Sequence, residues 1–132
     1  MKVELRPGLQ GRAEAIVDTT NVAAVMGSGD LDVFATPAMI ALMEQAAWTA
    51  VAPGLAEGES TVGTKLNISH VSATPVGLKV WAESEVTVVD GKRLEFKVAA
   101  YDEKGLIGEG THERFIITEE RFLGKAARKL EK

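Results

Sequence analysis

Two residues in this chain stand where their chemistry is costly unless it is used. Glu44 lies in the run Ala38-Met39-Ile40-Ala41-Leu42-Met43-Glu44-Gln45-Ala46-Ala47-Trp48-Thr49-Ala50-Val51-Ala52, whose only other polar residues are Gln45 and Thr49. An ionised carboxylate in such surroundings costs several kcal/mol unless it is paired or hydrogen-bonded. It is satisfied if it reaches a sheet rim or caps a backbone amide. It is also satisfied in a cleft, where partial burial makes a carboxylate a better base. His70 ends the run Val62-Gly63-Thr64-Lys65-Leu66-Asn67-Ile68-Ser69-His70. Strand alternation places Val62, Thr64, Leu66, Ile68 and His70 on one side and Gly63, Lys65, Asn67 and Ser69 on the other. The first set is the apolar one, so His70 is predicted to face the helix that carries Glu44. A lone histidine on an apolar face is ordinarily a hydrogen-bonded core residue. A carboxylate on the facing element turns it into an acid/base pair that works near neutral pH.

Three further residues qualify this pair. Thr36 precedes Pro37, and the dipeptide reads as a helix start, with Thr36 capping the first turn and Pro37 in the first helical position. Eight residues separate Thr36 from Glu44, roughly 12 Å along a straight helix. If the two cooperate, either the chain bends back before Pro37 or they come from different subunits. Gly63, inside a strand, marks close approach of a ligand or backbone, or else a bulge. His112 falls on one face with Gly108, Gly110 and Arg114 and is read as structural, with its ring satisfied locally.

The elements that must position these residues are legible from patterning. The 132 residues are 45% hydrophobic and 26% charged, which suits one domain spanning 1–132. A net charge of −4 without a dominant basic stripe argues against a nucleic-acid partner. The absence of cysteine removes disulfides, thiolate metal sites and cysteine nucleophiles. No apolar run of signal-peptide or membrane-spanning length is found, so a soluble cytoplasmic protein without a membrane partner is expected.

A first strand is predicted over 12–18, an irregular stretch over 19–34, and a helix from Thr36 to the Pro53-Gly54 stop. Strands follow at 60–71, 78–89, 93–101 and 106–118, with Asp90-Gly91 as a type I′ hairpin turn. The charged tail, 119–132, is predicted to form a short helix. The plan is α+β: one helix laid on one antiparallel sheet. That helix has no broad polar face, so a curling sheet, and a partner subunit where the sheet stops, must cover it.

Phe34-Ala35-Thr36, Leu42-Met43-Glu44, Gly63-Thr64, Ser69-His70, Ala73-Thr74-Pro75 with Gly77-Leu78, and Gly110-Thr111-His112-Glu113-Arg114 resemble, in order and spacing, the fluoroacetyl-CoA thioesterase family of the hot-dog superfamily. The resemblance runs from about Leu5 to the tail. It implies a hot-dog fold, a curved antiparallel sheet wrapped around one long central helix, and a homodimer, with a dimer of dimers left open. It implies acyl-CoA hydrolysis at clefts between subunits, with no metal and no cofactor, since CoA enters as part of the substrate. Thr36, Glu44 and His70 fall on the family's catalytic residues and Gly63 on its site-lining glycine. One segment departs. The fluoroacetyl-specific member carries phenylalanines in a lid before the threonine, whereas residues 22–33, VAAVMGSGDLDV, are several residues shorter and contain none. The reaction is therefore expected to carry over without the fluorine selectivity, toward a small or medium acyl-CoA.

In the implied chemistry Glu44 activates water or attacks the thioester carbonyl to give a short-lived anhydride. His70 moves the proton, the Gly63 amide is a candidate oxyanion donor, and Thr36 orients Glu44 or the water. Arg93, Lys97, Arg114, Arg121, Lys125, Arg128 and Lys129 are available for the CoA phosphates, and none is singled out, because a charge run such as the tail is usually a solvated face. Two rival readings stand beside this one. A non-catalytic acyl-CoA-binding hot-dog protein would keep the fold without turnover. An enoyl-CoA hydratase-like enzyme would need an aspartate close to a histidine, and the strand offers only Asn67 beside His70.

Overall fold

The computed structural model describes residues 3–131; Met1, Lys2 and Lys132, which the readings of the two termini included, lie outside the described residues. The elements are β1 (Gln10–Ile16), α1 (Ala23–Met26), α2 (Thr36–Val51), β2 (Glu59–His70), β3 (Lys79–Asp90), β4 (Arg93–Asp102), β5 (Gly105–Thr118) and α3 (Glu119–Ala127), with single 3-10 turns at Ala52–Gly54 and Arg128–Leu130. The strands form one five-stranded sheet in the order β1-β3-β4-β5-β2, and each neighbouring pair is antiparallel. The predicted α+β order holds, with α1 added where an irregular stretch was expected.

Helix α2 lies on the face of β1, β3 and β4. Its buried residues, Met39, Leu42, Met43, Ala46, Ala47 and Val51, recur at helical spacing and meet Val80, Ala82, Val86, Leu94, Phe96 and Val98 from the strands. Ser84, buried in that face, donates to the Ala46 carbonyl at 2.7 Å and ties helix to sheet. The opposite stripe of α2, Ala41, Gln45 and Trp48, is exposed, with Trp48 at 46%. The sheet thus covers one side of this apolar helix and leaves a largely apolar stripe in the open.

Three local readings are corrected. Thr36 is not the cap of α2: Ala35 occupies that position and no side chain caps the helix, because the Thr36 hydroxyl is engaged elsewhere. The β3–β4 turn has Gly91 and Lys92 as its loop residues, since Asp90 pairs with Arg93. Only Gly91 has positive φ (+61°), which fits a type II′ turn, whereas type I′ needs positive φ at both positions.

The third correction concerns faces. Strand β2 carries a bulge: Gly63 pairs with Arg114 and Lys65 with Glu113, so Thr64 is the extra residue. Strict alternation separated Gly63 from His70. The bulge changes the phase, and Gly63, Leu66, Ile68 and His70 lie opposite Arg114, His112, Gly110 and Gly108 on the same inner face.

Candidate active site

The acid half of the site is built by α2, β2 and β5. Glu44 projects from α2 toward the inner face of β5, where Arg114 Nη1 approaches Glu44 Oε2 at 3.4 Å. Arg114 is 6% exposed, and every arm of its guanidinium is engaged. Nε donates to Thr61 Oγ1 at 2.9 Å, Nη2 donates to the Thr61 carbonyl at 2.9 Å, and Nη1 lies 3.2 Å from His112 Nε2. The position of the His112 proton follows from its partners. The Lys65 carbonyl, 2.8 Å from Nδ1, can only accept, so Nδ1 carries the hydrogen and Nε2 accepts from Arg114. His112 stacks on Phe96 with ring centroids 5.9 Å apart. It is thereby the locally satisfied residue expected of it, and it also braces the arginine.

Gly63 completes this half. A Cβ at that position would sit 2.7 Å from Glu44 Oε2, 3.1 Å from His112 Cε1 and 3.3 Å from Arg114 Nη1. A side chain there would push the Glu44 carboxylate aside, whereas glycine lets the carboxylate and the guanidinium lie this close to the strand. Arg114, counted among the cations available to phosphates, is instead buried beneath Glu44. The signal for this was present: an arginine on the inner face of a strand needs an acid partner. What the sequence did not show was which acid faces it.

The second half lies at the other end of β2. Thr36 Oγ1 and His70 Nδ1 are 2.8 Å apart, joining the first residue of α2 to the last residue of β2. His70 Nε2 is buried without a hydrogen-bond partner among the described residues. Beside the pair opens a hollow of about 300 Å³, lined by Ala23, Val33, Phe34, Val71 and Ala73 among others. The structure brings Thr36 to His70 and Glu44 to Gly63, but it does not bring these pairs together within the chain. Their positions on β5, opposite Arg114 and Gly108, differ by six residues, roughly 20 Å of strand.

Burial lowers the pKa of His70, opposed by the Ser72 backbone. Burial also lowers that of His112, opposed first by the Lys65 backbone and aided by the Arg114 charge. Burial lowers the Arg114 value too, with Glu44 opposing it. Both imidazoles are therefore neutral at pH 7, and His70 is available to accept a proton. Because the unfolded chain binds protons near the ordinary histidine value of 6.5 and the folded chain only below it, stability is full above that value and declines as pH falls. The urea midpoint is expected to be lower at about pH 5.5 than at about pH 7.5. A midpoint unchanged or higher at the acidic value contradicts this.

Among the described residues no group of three or more His, Cys, Asp and Glu gathers in a metal-binding arrangement. No described helix is long and apolar enough to cross a membrane. A carboxylate held by a buried arginine, a neutral histidine joined to a threonine, and a glycine at the closest approach together suit hydrolysis of an activated acyl group.

Comparison with known proteins agrees with that chemistry. The family model described as FlK, fluoroacetyl-CoA-specific thioesterase, matches residues 17–120. The fluoroacetyl-CoA thioesterase of Streptantibioticus cattleyicolor is 45% identical over 98 residues, 74% of this chain and 70% of that protein. The crystal structure of a variant of the fluoroacetyl-CoA-specific thioesterase FlK superposes with a TM-score of 0.90 at 36% identity, covering 97% of this chain and 99% of that one. A hot-dog-like protein from Thermanaerovibrio acidaminovorans, 21% identical with a TM-score of 0.87 over 97% and 95% of the two chains, supports the fold alone. The chain is thus a hot-dog thioester hydrolase acting on acyl-CoA, and it belongs to the fluoroacetyl-CoA-specific thioesterase family.

Proposed function

We propose that two protomers pair through the free edge of β2 and hydrolyse a small or medium acyl-CoA at two composite sites. Each site joins Glu44 and Gly63 of one protomer to Thr36 and His70 of the partner subunit. The observation that carries this is the separation of the two halves along one edge strand, with Gly63 in its first half and His70 at its end. When two copies of a strand pair antiparallel about a two-fold axis, the early part of one lies beside the late part of the other. Gly63 then comes alongside the partner's His70, twice per dimer. The same pairing offers cover to Leu66, exposed on the inner face of β2, and to the open Trp48 stripe of α2.

In each composite site Glu44 supplies the oxygen, either by drawing a proton from water as that water attacks the thioester carbon or by attacking that carbon itself. In the second route, water then cleaves the acyl-glutamate anhydride. In the first route a C–O bond forms, the C–S bond breaks, and the proton drawn from water passes by way of neutral His70 to the departing thiolate. In the second the thiolate leaves as Glu44 attacks, and His70 takes the proton from the water that cleaves the anhydride and hands it to the sulfur. The Gly63 amide, beside the bulge that interrupts the ladder, is the donor proposed for the developing oxyanion. Thr36 holds the His70 ring, and CoA enters only as part of the substrate. The hydratase-like reading gains nothing from Asn67, an amide that pairs with Thr111 on the outer face of the sheet, away from His70.

Mixing inactive protomers tests the assignment. In a dimer of one Glu44→Gln and one His70→Ala protomer, one site carries both lesions and the other carries neither. If equal amounts exchange freely, half of the dimers are mixed, so about a quarter of the parental site activity should return. A mixture that exchanges subunits yet stays as inactive as its components places Glu44 and His70 in one protomer and defeats the composite site.

A further inference from the structure

Helix α3 and the 3-10 turn after it contain no buried residue. Phe122, Leu123 and Leu130 are 40%, 65% and 87% exposed. Even so, the segment is patterned. At helical spacing Phe122, Ala126 and Leu130 form one stripe with Leu123 beside it, while Arg121, Lys125, Arg128 and Lys129 gather on another side. The acids of this segment, Glu119 and Glu120, sit in its first turn, where they suit the helix dipole, and Glu131 follows the last turn. Among the described residues none of Arg121, Lys125, Arg128 and Lys129 sits in an ion pair, a state they share with Arg6, Lys65, Lys92, Lys97 and Lys104; what sets them apart is that they gather on one side of one segment. An apolar stripe flanked by cations, with no residue of it buried by its own protomer, calls for two occupants: a surface and an anion.

Its place in the fold indicates both. Thr118 pairs with Glu59 and the Glu119 amide donates to the Gly58 carbonyl at 2.9 Å, so α3 starts at the beginning of the edge strand β2. In the β2 pairing proposed above, on which this inference rests, the beginning of one strand lies toward the end of the other. That end carries the partner's Thr36–His70 pair and its hollow. The substrate class supplies the anion, since CoA bears a pyrophosphate and a 3′-phosphate. A protein of net charge −4 needs a local cationic patch to hold such a molecule.

We infer that α3 and the 3-10 turn after it lay their apolar stripe on the partner subunit and present Arg121, Lys125, Arg128 and Lys129 at the mouth of the partner's cleft, where they bind the phosphates of CoA. The site thus takes its carboxylate and its phosphate grip from one subunit and its histidine from the other.

The test compares two thioesters of the same acyl group, one on CoA and one on N-acetylcysteamine, which has no phosphate. In the R121Q/K125Q/R128Q/K129Q variant, KM for the CoA thioester should rise roughly tenfold, as four exposed cations of modest individual strength allow, with kcat unchanged. KM for the N-acetylcysteamine thioester should stay at the parental value. An unmoved KM for the CoA thioester, or equal changes for both, overturns the inference. Parental turnover of the N-acetylcysteamine thioester and recovery in the Glu44→Gln plus His70→Ala mixture report separately on the reading beneath it. Which protomer supplies the cations is read by placing the four substitutions on one member of that mixture. On the His70→Ala protomer, whose Glu44 serves the surviving site, they should raise KM; on the Glu44→Gln protomer they should not. The reverse pattern shows α3 serving its own protomer's cleft and overturns the inference.

Discussion

Replacing Glu44 with Gln is expected to lower kcat for acyl-CoA hydrolysis by roughly a hundredfold to ten-thousandfold, the range of a positioned general base, and more if the carboxylate is the nucleophile. The substitution is close to isosteric, and its amide oxygen can still accept from Arg114, so the packing against Gly63 and β5 is retained. What disappears is the negative charge and the basic oxygen on which the proposed mechanism rests. KM should change little, because the grip inferred above holds CoA through its phosphates rather than through this carboxylate. Steady-state release of free thiol, followed on a panel of acyl-CoAs, gives the answer. Hydrolysis at the parental rate by Glu44→Gln would remove the carboxylate from the centre of the mechanism.

Replacing Arg114 with Gln should weaken the fold and the site together. The arginine makes two contacts of 2.9 Å to Thr61 and also approaches Glu44 and His112. A glutamine cannot span these partners, so the Thr61 carbonyl and the His112 Nε2 lose their donors within the core. Buried groups left unsatisfied cost about 1–3 kcal/mol each, and the half-open Glu44 end of the network adds less. A destabilisation of roughly 2–4 kcal/mol, or on the order of 10 °C in Tm, is expected for a domain of this size. Below the melting range kcat should also fall, because Glu44 is no longer held beside Gly63. Arg114→Lys keeps the charge near Glu44 but lacks the planar fork, so it should recover part of the activity and little of the stability. An Arg114→Gln protein that melts and turns over like the parent would show that the network is idle.

The sequence was most informative where one local rule acts alone. The order of helix and strands, the apolar character of α2, and the faces of β5 all follow from periodicity, because side-chain spacing in a helix or strand depends on its own backbone. The resemblance in ordered motifs carried the reaction class. The same reasoning failed at Gly63, since a bulge is decided by how two strands fit and not by either alone. It also failed at Thr36: the Thr-Pro pair has the local signature of a cap, but His70, 34 residues away in sequence, competes for the hydroxyl.

By itself, then, the chain determined which residues are chemically out of place and which elements carry them. Glu44 on an apolar helix, His70 on the inner side of a strand and a glycine within that strand are facts of composition and spacing. Only the tertiary structure decided their partners. It set Arg114 under Glu44, Thr36 against His70, and roughly 20 Å of strand between the two halves. The physical reason is that periodicity fixes the direction of a side chain relative to its own backbone. What stands opposite it depends on register, and register is settled by packing of the whole sheet.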